Sequence, residues 1–296
     1  MGVDLARYHA WKGKPRSPWW ATLAIVRVAM LQIFRRRSYW IVLALGMLNF
    51  LSFWAAIYLV TQFDIPTRIQ DNLLEAFGFS AIAAPGEDSG YIKFMQRQSI
   101  VVMMLLAFSG SLLVGADFRT GSLPFYLSRR IDRRHYIVGK LLAISAVVTI
   151  LTTLPALLLF LEYGLFTSSV DYWIEHWQIA VSVLAYGAVL CVVLSILLVT
   201  LSAYLQRAAP IAITWSSLFV LLREMSNQFS DATNNSYWKL IDPWRNIRAV
   251  GRLCFGEFRD AQQWQMARFS LAILVLLCSL ALAALVRRVR AVDIVS

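Results

Sequence analysis

The sequence predicts an all-α, polytopic membrane protein with six transmembrane helices. Its 296 residues are 59% hydrophobic and only 15% charged, with a mean hydropathy of +0.61, whereas soluble domains carry nearer a quarter charged residues. Long charge-free apolar runs separate the polar segments, and several of them can cross a hydrocarbon core of about 30 Å. The net charge of +11 comes largely from Lys and Arg beside these runs, a pattern of membrane orientation rather than of nucleic-acid binding.

Residues 1–38 are predicted to form a cytoplasmic or interfacial N-terminal segment. They contain eight Lys or Arg and a single acidic residue. A helix is predicted between Trp19 and Phe34, but its polar residues Thr22, Arg27 and Gln32 recur every five positions and do not share a face. Two interpretations stay open, an in-plane helix at the membrane surface and a simple cytoplasmic lead-in.

Six apolar runs in the remaining chain, 39–296, are predicted to span the membrane. They cover about residues 39–60, 99–116, 141–161, 177–205, 208–222 and 269–286. Pro155 predicts a kink in the third span, because proline disrupts helical hydrogen bonding. Together the runs predict one six-span transmembrane domain over residues 39–296.

The two long loops between spans contain their own helix signals. In the loop 61–98, Ile69, Leu73 and Phe77 mark a short amphipathic helix. In the loop 223–268, Asp242-Pro243 predicts an N-cap followed by proline at the first helical position. The arginines that follow are predicted to share one face of that helix, opposite an apolar face, which suits a helix at the membrane surface.

The distribution of Lys and Arg predicts that both termini lie in the cytoplasm. The segments before span one, between spans two and three, between spans four and five, and after span six contain 8, 6, 1 and 3 of these residues. The alternate loops contain 3, none and 7, and the seven are offset by 5 acidic residues. Because cytoplasmic loops carry the basic excess, the arginine-rich segment 115–140 is predicted to be cytoplasmic as well.

The sequence argues against ion coupling, ATP binding, catalysis and metal binding by this chain. The predicted spans contain no acidic, basic or His residue in their interiors, which disfavours an ion-coupled carrier. The two Gly-Lys pairs, at Gly13 and Gly139, lack the upstream Gly and following Ser or Thr of a P-loop. The three Cys and three His have no metal-ligand spacing. Catalysis and metal binding are therefore not predicted.

The arginine-rich segment resembles the cytoplasmic loop of ABC-2-type transporter permeases. That pattern runs from an acidic residue through Gly-Thr/Ser-Leu, an apolar pair, Leu-Ser and Pro-Ile-Ser-Arg to Gly-Lys before the third span. The matching residues here are Asp117, Gly121, Ser122, Leu123, Leu127, Ser128, Ile131, Arg133, Gly139 and Lys140. Arg130 replaces the usual Pro, and Asp132 replaces the usual Ser and is then expected to cap the next helix.

The resemblance implies the permease subunit of an exporter, without an ATPase site of its own. ATP and Mg are expected in a separate ABC ATPase subunit, present in two copies. A second permease copy is expected to complete a homodimer or heterodimer surrounded by membrane lipids. The implied location is the plasma membrane, that is, a bacterial inner membrane.

The resemblance also implies that a short coupling helix within the segment docks on the ATPase. The residues expected there are Asp117, Gly121, Ser122, Leu123, Phe125, Tyr126, Leu127, Arg129, Arg130 and Arg133. The chemistry agrees, because Ser122 can cap a short helix and Phe125 with Tyr126 can anchor in a pocket. The arginines have a second explanation in topology and in attraction to anionic lipid.

Two other functions share parts of this pattern. A membrane scaffold or assembly factor has the same topology but no ATPase partner, so a neighbouring ATPase gene would favour the permease. An ion-coupled carrier is the less favoured alternative. The substrate is not readable, because the Ser and Thr scattered in the spans suit lipid or drug contacts and ordinary helix packing equally.

Overall fold

The protein folds into helices throughout the part of the chain that the structure, a computed structural model, describes. The described residues are 18–63, 66–78, 90–110, 115, 132–166, 170–258 and 260–292. Their α-helices are α1 (Pro18–Phe34), α2 (Arg37–Gln62), α3 (Thr67–Phe77), α4 (Gly90–Gly110), α5 (Arg133–Leu151), α6 (Thr153–Phe166), α7 (Val170–Glu175), α8 (Trp177–Leu205), α9 (Ala208–Thr233), α10 (Pro243–Phe255) and α11 (Ala261–Val292), with a 3-10 helix at Ser236–Ile241. No strand occurs among these residues, so the all-α prediction is confirmed for them.

Five stretches of the described chain are long and apolar enough to cross a membrane. They are Tyr39–Gln62, Arg133–Phe166, Trp177–Leu205, Ala208–Thr233 and Ala261–Val289. α4, which overlaps the predicted second span, is not among them, and its first half carries Lys93 and Arg97. The count of six therefore stays a prediction, whereas a multi-pass membrane protein is established.

The third predicted span consists of two helices, α5 and α6, that are interrupted at Thr152. Pro155 causes the interruption, because its ring clashes with the carbonyl four residues earlier and it has no N–H to bond that carbonyl. Thr152 adopts φ −114° and ψ −63°, and its hydroxyl donates a 2.7 Å hydrogen bond to the Val148 carbonyl. The predicted kink is confirmed and lies one turn before the proline.

α8 is the central helix of the bundle and packs against α4, α5, α6, α9, α10 and α11. Tyr186, Leu190, Leu194 and Leu198 recur every fourth residue along it, and each is 0% exposed. That spacing places all four on one side of the helix. By contrast, helices on the outside of the bundle carry exposed apolar side chains. α2 exposes Trp40, Ile41 and Leu48, and α11 exposes Val275 and Leu280. Such apolar outer faces suit lipid tails.

The loop predictions agree with the structure in their main features. α3 forms where the amphipathic pattern predicts it, and Phe77 packs edge-to-face on Phe53 with 5.0 Å between ring centroids. Asp242 caps α10, accepting a 2.9 Å hydrogen bond from the Trp244 backbone N–H to its Oδ1. The Ile247 side chain on the apolar face of α10 is 0% exposed.

Candidate docking face

The structure describes the two flanks of the predicted docking segment rather than its middle. Nine of the ten residues predicted to contact an ATPase lie outside the described residues: Asp117, Gly121, Ser122, Leu123, Phe125, Tyr126, Leu127, Arg129 and Arg130. The tenth, Arg133, is the first residue of α5. The docking prediction for these residues stays a prediction, and the flanks determine where the segment is attached.

At the first flank, Gly115 lies against the turn between α8 and α9. A Cβ at Gly115 would lie 2.7 Å from the carbonyl oxygen of Gln206, so only glycine fits without a shift. Gln206 itself has a φ of +57°, in the left-handed region that lets the chain reverse within two residues before α9. The segment therefore begins against the short α8–α9 connection.

At the second flank, Asp132 occupies the N-cap position of α5 in an extended conformation. The capping hypothesis is right about the position and wrong about the bond, because the Asp132 side chain accepts no hydrogen bond from the helix N-terminus. Its carboxylate lies 3.9 Å from Nδ1 of His135 instead. The Trp19 ring of α1 meets the His135 ring edge-to-face at 4.9 Å. α1 thus covers the start of α5.

The two residues of the Gly139-Lys140 pair in the family pattern have different surroundings in this chain. A Cβ at Gly139 would lie 3.2–3.3 Å from the Ile25 side chain, so glycine lets α1 approach α5 closely. Lys140 is only 8% exposed, and its ammonium lies 5.7 Å from the centre of the Tyr136 ring, within the range of a cation–π contact. Gly139 therefore lets the N-terminal helix pack closely on the helix that follows the docking segment, while Lys140 packs within that helix.

A cavity of about 660 Å³ opens beside this second flank. It is lined by Asp132, Arg133, Arg134, Ile137, Val286 and Val289. The first four residues belong to the start of α5 and the last two to the end of α11. The predicted docking residue Arg133 therefore lines a concave surface that is built from two helix ends.

The end of α11 is tied to the end of α8 by one tyrosine. The Tyr204 hydroxyl donates a 3.1 Å hydrogen bond to the Ala284 carbonyl, and the Arg288 guanidinium lies 5.6 Å from the Tyr204 ring centre. The start of α5, the end of α11 and the α8–α9 turn consequently meet at one end of the bundle. We call this end the docking face.

Buried ionisable groups near the two ends of the third span mark its length. Lys140 and Glu162 are 8% and 7% exposed. They are separated by 22 positions, which is at most about 33 Å of helix and close to the hydrocarbon thickness. Neither carboxylate oxygen of Glu162 has a hydrogen-bond partner among the described residues. Both groups lie next to the ends of the predicted span 141–161 and inside the longer apolar stretch Arg133–Phe166.

One polar contact inside the bundle is not evident from the sequence. Gln98 is the last residue of the predicted loop 61–98, but it lies in the middle of α4 and is 1% exposed. It accepts a hydrogen bond from Asn49 of α2. Among the described residues, no group of three or more His, Cys, Asp or Glu side chains is arranged to hold a metal ion.

The fold and this face define a multi-pass, all-helical membrane protein whose basic loop is attached at one end of the bundle. A family model described as ABC-2 family transporter protein matches residues 23–289. The chain therefore belongs to the ABC-2 transporter family. Members of this family are membrane components of transporters, and membership implies an ATPase partner. No curated protein matches the chain.

Proposed function

We propose that this chain is the permease subunit of an ABC-2-type exporter. It moves substrate outward across a bacterial inner membrane, using ATP that a separate ABC ATPase hydrolyses. Six spans cross the membrane, both termini are cytoplasmic, and α1 lies along the cytoplasmic membrane surface. The observation that carries the proposal is the family match together with the attachment of the basic segment at the docking face.

The charges of the helix ends support this orientation. Arg133 and Arg134 begin α5, Arg207 lies in the α8–α9 turn, and Arg287 and Arg288 lie near the end of α11. These five arginines come from three separate places in the sequence and meet at the docking face. Because basic residues collect on the cytoplasmic side, the docking face is the side on which an ATPase is available.

Movement of the ATPase subunits is transmitted to the permease through α5. The docking segment ends where α5 begins, so a push on the segment is transmitted directly to Arg133 and the first turns of that helix. α1 moves with α5, because Gly139 holds the two helices in close contact. The kink at Thr152 then separates this cytoplasmic half from α6, which packs on α2 and α8. Closure of the ATPases thereby rocks the cytoplasmic half of the bundle between two states.

The assembly contains two permease copies and two ATPases. Six spans form half of a translocation path, and a second copy of this chain or a related permease supplies the other half. ATP and Mg are bound by the ATPase subunits. Lipids surround the exposed apolar faces of α2 and α11.

Co-purification in detergent tests the docking role. The tagged full chain is expected to recover an ATPase that contains a P-loop, identified by mass spectrometry. Replacing Phe125 and Tyr126 with Ala is expected to lower that recovery by about tenfold or more, because aromatic anchors dominate such interfaces. The matched control replaces Tyr237 and Trp238, an exposed aromatic pair of the 3-10 helix, and is expected to leave recovery unchanged.

Two results would contradict the proposal in different ways. Full recovery of the ATPase and unchanged coupling of ATP hydrolysis in the Phe125 and Tyr126 variant would exclude docking through these residues. Failure of the unaltered chain to recover any ATPase would favour a non-transporting scaffold.

A further inference from the structure

A second cavity, of about 440 Å³, lies between the 3-10 helix, α10 and the start of α11. Three basic side chains, Lys239, Arg245 and Arg252, line it together with one carboxylate, Asp260. The lining therefore carries a formal charge of +2, from three positive groups and one negative group. A cavity with this excess favours an anionic ligand.

The two arginines are placed to act together. Arg245 and Arg252 are seven residues apart on α10, which is nearly two full helical turns, so both project from one face. Ala249 lies between them and leaves space in the cavity lining. The Arg245 guanidinium is anchored to α9, because its Nη2 donates a 3.2 Å hydrogen bond to Oδ1 of Asn227. Arg248 is excluded from this pair, since its guanidinium lies 5.9 Å from the Trp244 ring centre and does not line the cavity.

One buried asparagine joins the walls of the cavity. Asn246 is 1% exposed and connects all three walls. Its Nδ2 donates a 2.8 Å hydrogen bond to the Leu240 carbonyl of the 3-10 helix, and its Oδ1 accepts a 3.1 Å hydrogen bond from Ser270 of α11. Because both ends of the amide are used within the protein, Asn246 connects the walls of the cavity rather than binding a ligand.

Exposed aromatic rings around the cavity indicate its depth relative to a membrane. Tyr237 is 55% exposed, Trp264 46% and Phe269 43%. The Arg268 guanidinium lies 4.7 Å from the Trp264 ring centre. Exposed Trp and Tyr beside a long apolar helix are typical of the membrane–water interface. That level is also where the phosphates of lipid headgroups lie.

We propose that this cavity binds a phosphate group, presented by the headgroup of an anionic lipid. Guanidinium groups bind phosphate oxygens in a two-pronged geometry, which Arg245 and Arg252 offer from one helix face. The volume exceeds that of a phosphate alone and accommodates the glycerol part of a headgroup beside Gln262 and Ser236. Phe258 and Met266 add apolar contacts for the first carbons of the chains. The site is independent of the docking face and of the proposed transport role.

Native mass spectrometry of the detergent-purified full chain tests the site. Short-chain phosphatidylglycerol is expected to stay bound, and short-chain phosphatidylcholine is expected to bind much less because of its compensating positive charge. The double variant Arg245→Gln with Arg252→Gln is expected to weaken phosphatidylglycerol binding about 30-fold, from about 1 kcal/mol for each basic residue. Inorganic phosphate and glycerol phosphate serve as competitors, and displacement by either at low millimolar concentration would assign the site to a soluble phosphate.

Arg268→Gln is the matched control, because Arg268 lies at the same level but does not line the cavity. It is expected to retain phosphatidylglycerol like the unaltered chain. Equal lipid retention by the double variant and the unaltered chain would overturn the proposal. So would an equal loss in Arg268→Gln, since that would indicate general attraction to the surface. Thermal unfolding of each variant separates loss of the ligand from loss of the fold.

Discussion

Asn49 and Gln98 join α2 to α4 through a hydrogen bond of 2.8 Å, in which Nδ2 of Asn49 donates to Oε1 of Gln98. The amide of Gln98 is buried, and Gly46 provides the space that it occupies. A Cβ at Gly46 would lie 2.9 Å from Nε2 of Gln98. The pair therefore fixes both the distance and the register of the two helices, since either a shift or a side chain at position 46 would break it.

Replacing Asn49 with Leu is expected to lower the free energy of unfolding by about 1–2 kcal/mol. The buried Gln98 amide then loses its donor, and a buried polar group left without its partner costs about this much. The double variant Asn49→Leu with Gln98→Leu is expected to recover most of the loss, because no buried amide is left unsatisfied. Unfolding of the four proteins of this double-mutant cycle in mixed detergent measures the coupling. A coupling energy near zero would contradict the role of the pair.

Gly187→Ala is expected to destabilise the bundle by about 1–3 kcal/mol, the usual cost of overpacking a core. The new Cβ would overlap the Thr153 hydroxyl and lie 2.9 Å from its Cγ2, at the point where α6 begins after the kink. Adding Thr153→Ala removes both atoms and is expected to restore part of the stability. Thermal unfolding followed by size-exclusion chromatography measures the three variants. If Gly187→Ala is as stable as the unaltered chain, the close approach of α6 and α8 is wrong.

The apolar runs predict where the long helices lie better than where those helices begin and end. The predicted span 177–205 coincides with α8, but α9 continues eleven residues beyond the predicted end at 222, and α11 begins eight residues before 269. An apolar run in the sequence identifies only the part of a helix that is suited to contact lipid. Polar residues beyond that part continue the helix because its backbone hydrogen bonds do not depend on the surroundings. Charge and apolarity along the sequence therefore cannot show where such helices end.

The contacts of the docking face depend on residues that are distant in the sequence. The motif around Gly121 and Leu123 is local, so a sequence pattern can identify it. Gly115 packs on Gln206, 91 residues later, and Gly139 packs on Ile25, 114 residues earlier. A glycine in a sequence does not indicate which helix approaches it. The family pattern thus predicts a docking segment, and the contacts of its two flanking glycines are visible only in the structure.

The stability of the protein is expected to fall as the pH rises from 10 to about 12. Burial raises the pKa of Tyr172 from 10.0 to about 12, with a further increase from the neighbouring Tyr163 and an opposing effect of Tyr91. The folded protein thus holds this phenol proton more tightly than the unfolded chain. The resulting stabilisation is complete below pH 10 and is lost as the pH approaches 12, up to about 2–3 kcal/mol.

Tyr172→Phe checks this source of pH dependence. The variant cannot ionise at this position, so its stability is expected to fall less steeply between pH 10 and 12 than that of the unaltered chain. Some decline is expected to remain, because burial also raises the pKa of Tyr91 well above its ordinary value. Chemical unfolding at half-unit pH intervals gives the two slopes, and measurements at pH 8 serve as the reference. Identical slopes would exclude Tyr172 as a contributor.

Asp242→Ala is expected to destabilise α10 and to weaken the phosphate site with it. The Asp242 side chain is 0% exposed, and its Oδ1 caps the helix that carries Arg245 and Arg252. Loss of an N-cap acceptor costs about 1 kcal/mol, and at a buried helix start the Trp244 N–H is left without a partner. Asp242→Asn is the matched variant, because asparagine caps helices about as well as aspartate and is expected to keep the helix start in place.

The two variants separate the cap from the charge at position 242. Thermal unfolding and phosphatidylglycerol retention are measured on both. Because α10 packs on α8, α9 and α11, a frayed first turn displaces Arg245 before it disturbs the rest of the bundle. Lipid retention in Asp242→Ala is therefore expected to fall at temperatures at which the bundle is still folded, whereas Asp242→Asn retains lipid to its unfolding temperature. Equal losses in both variants would mean that the carboxylate charge, rather than the cap, organises this helix.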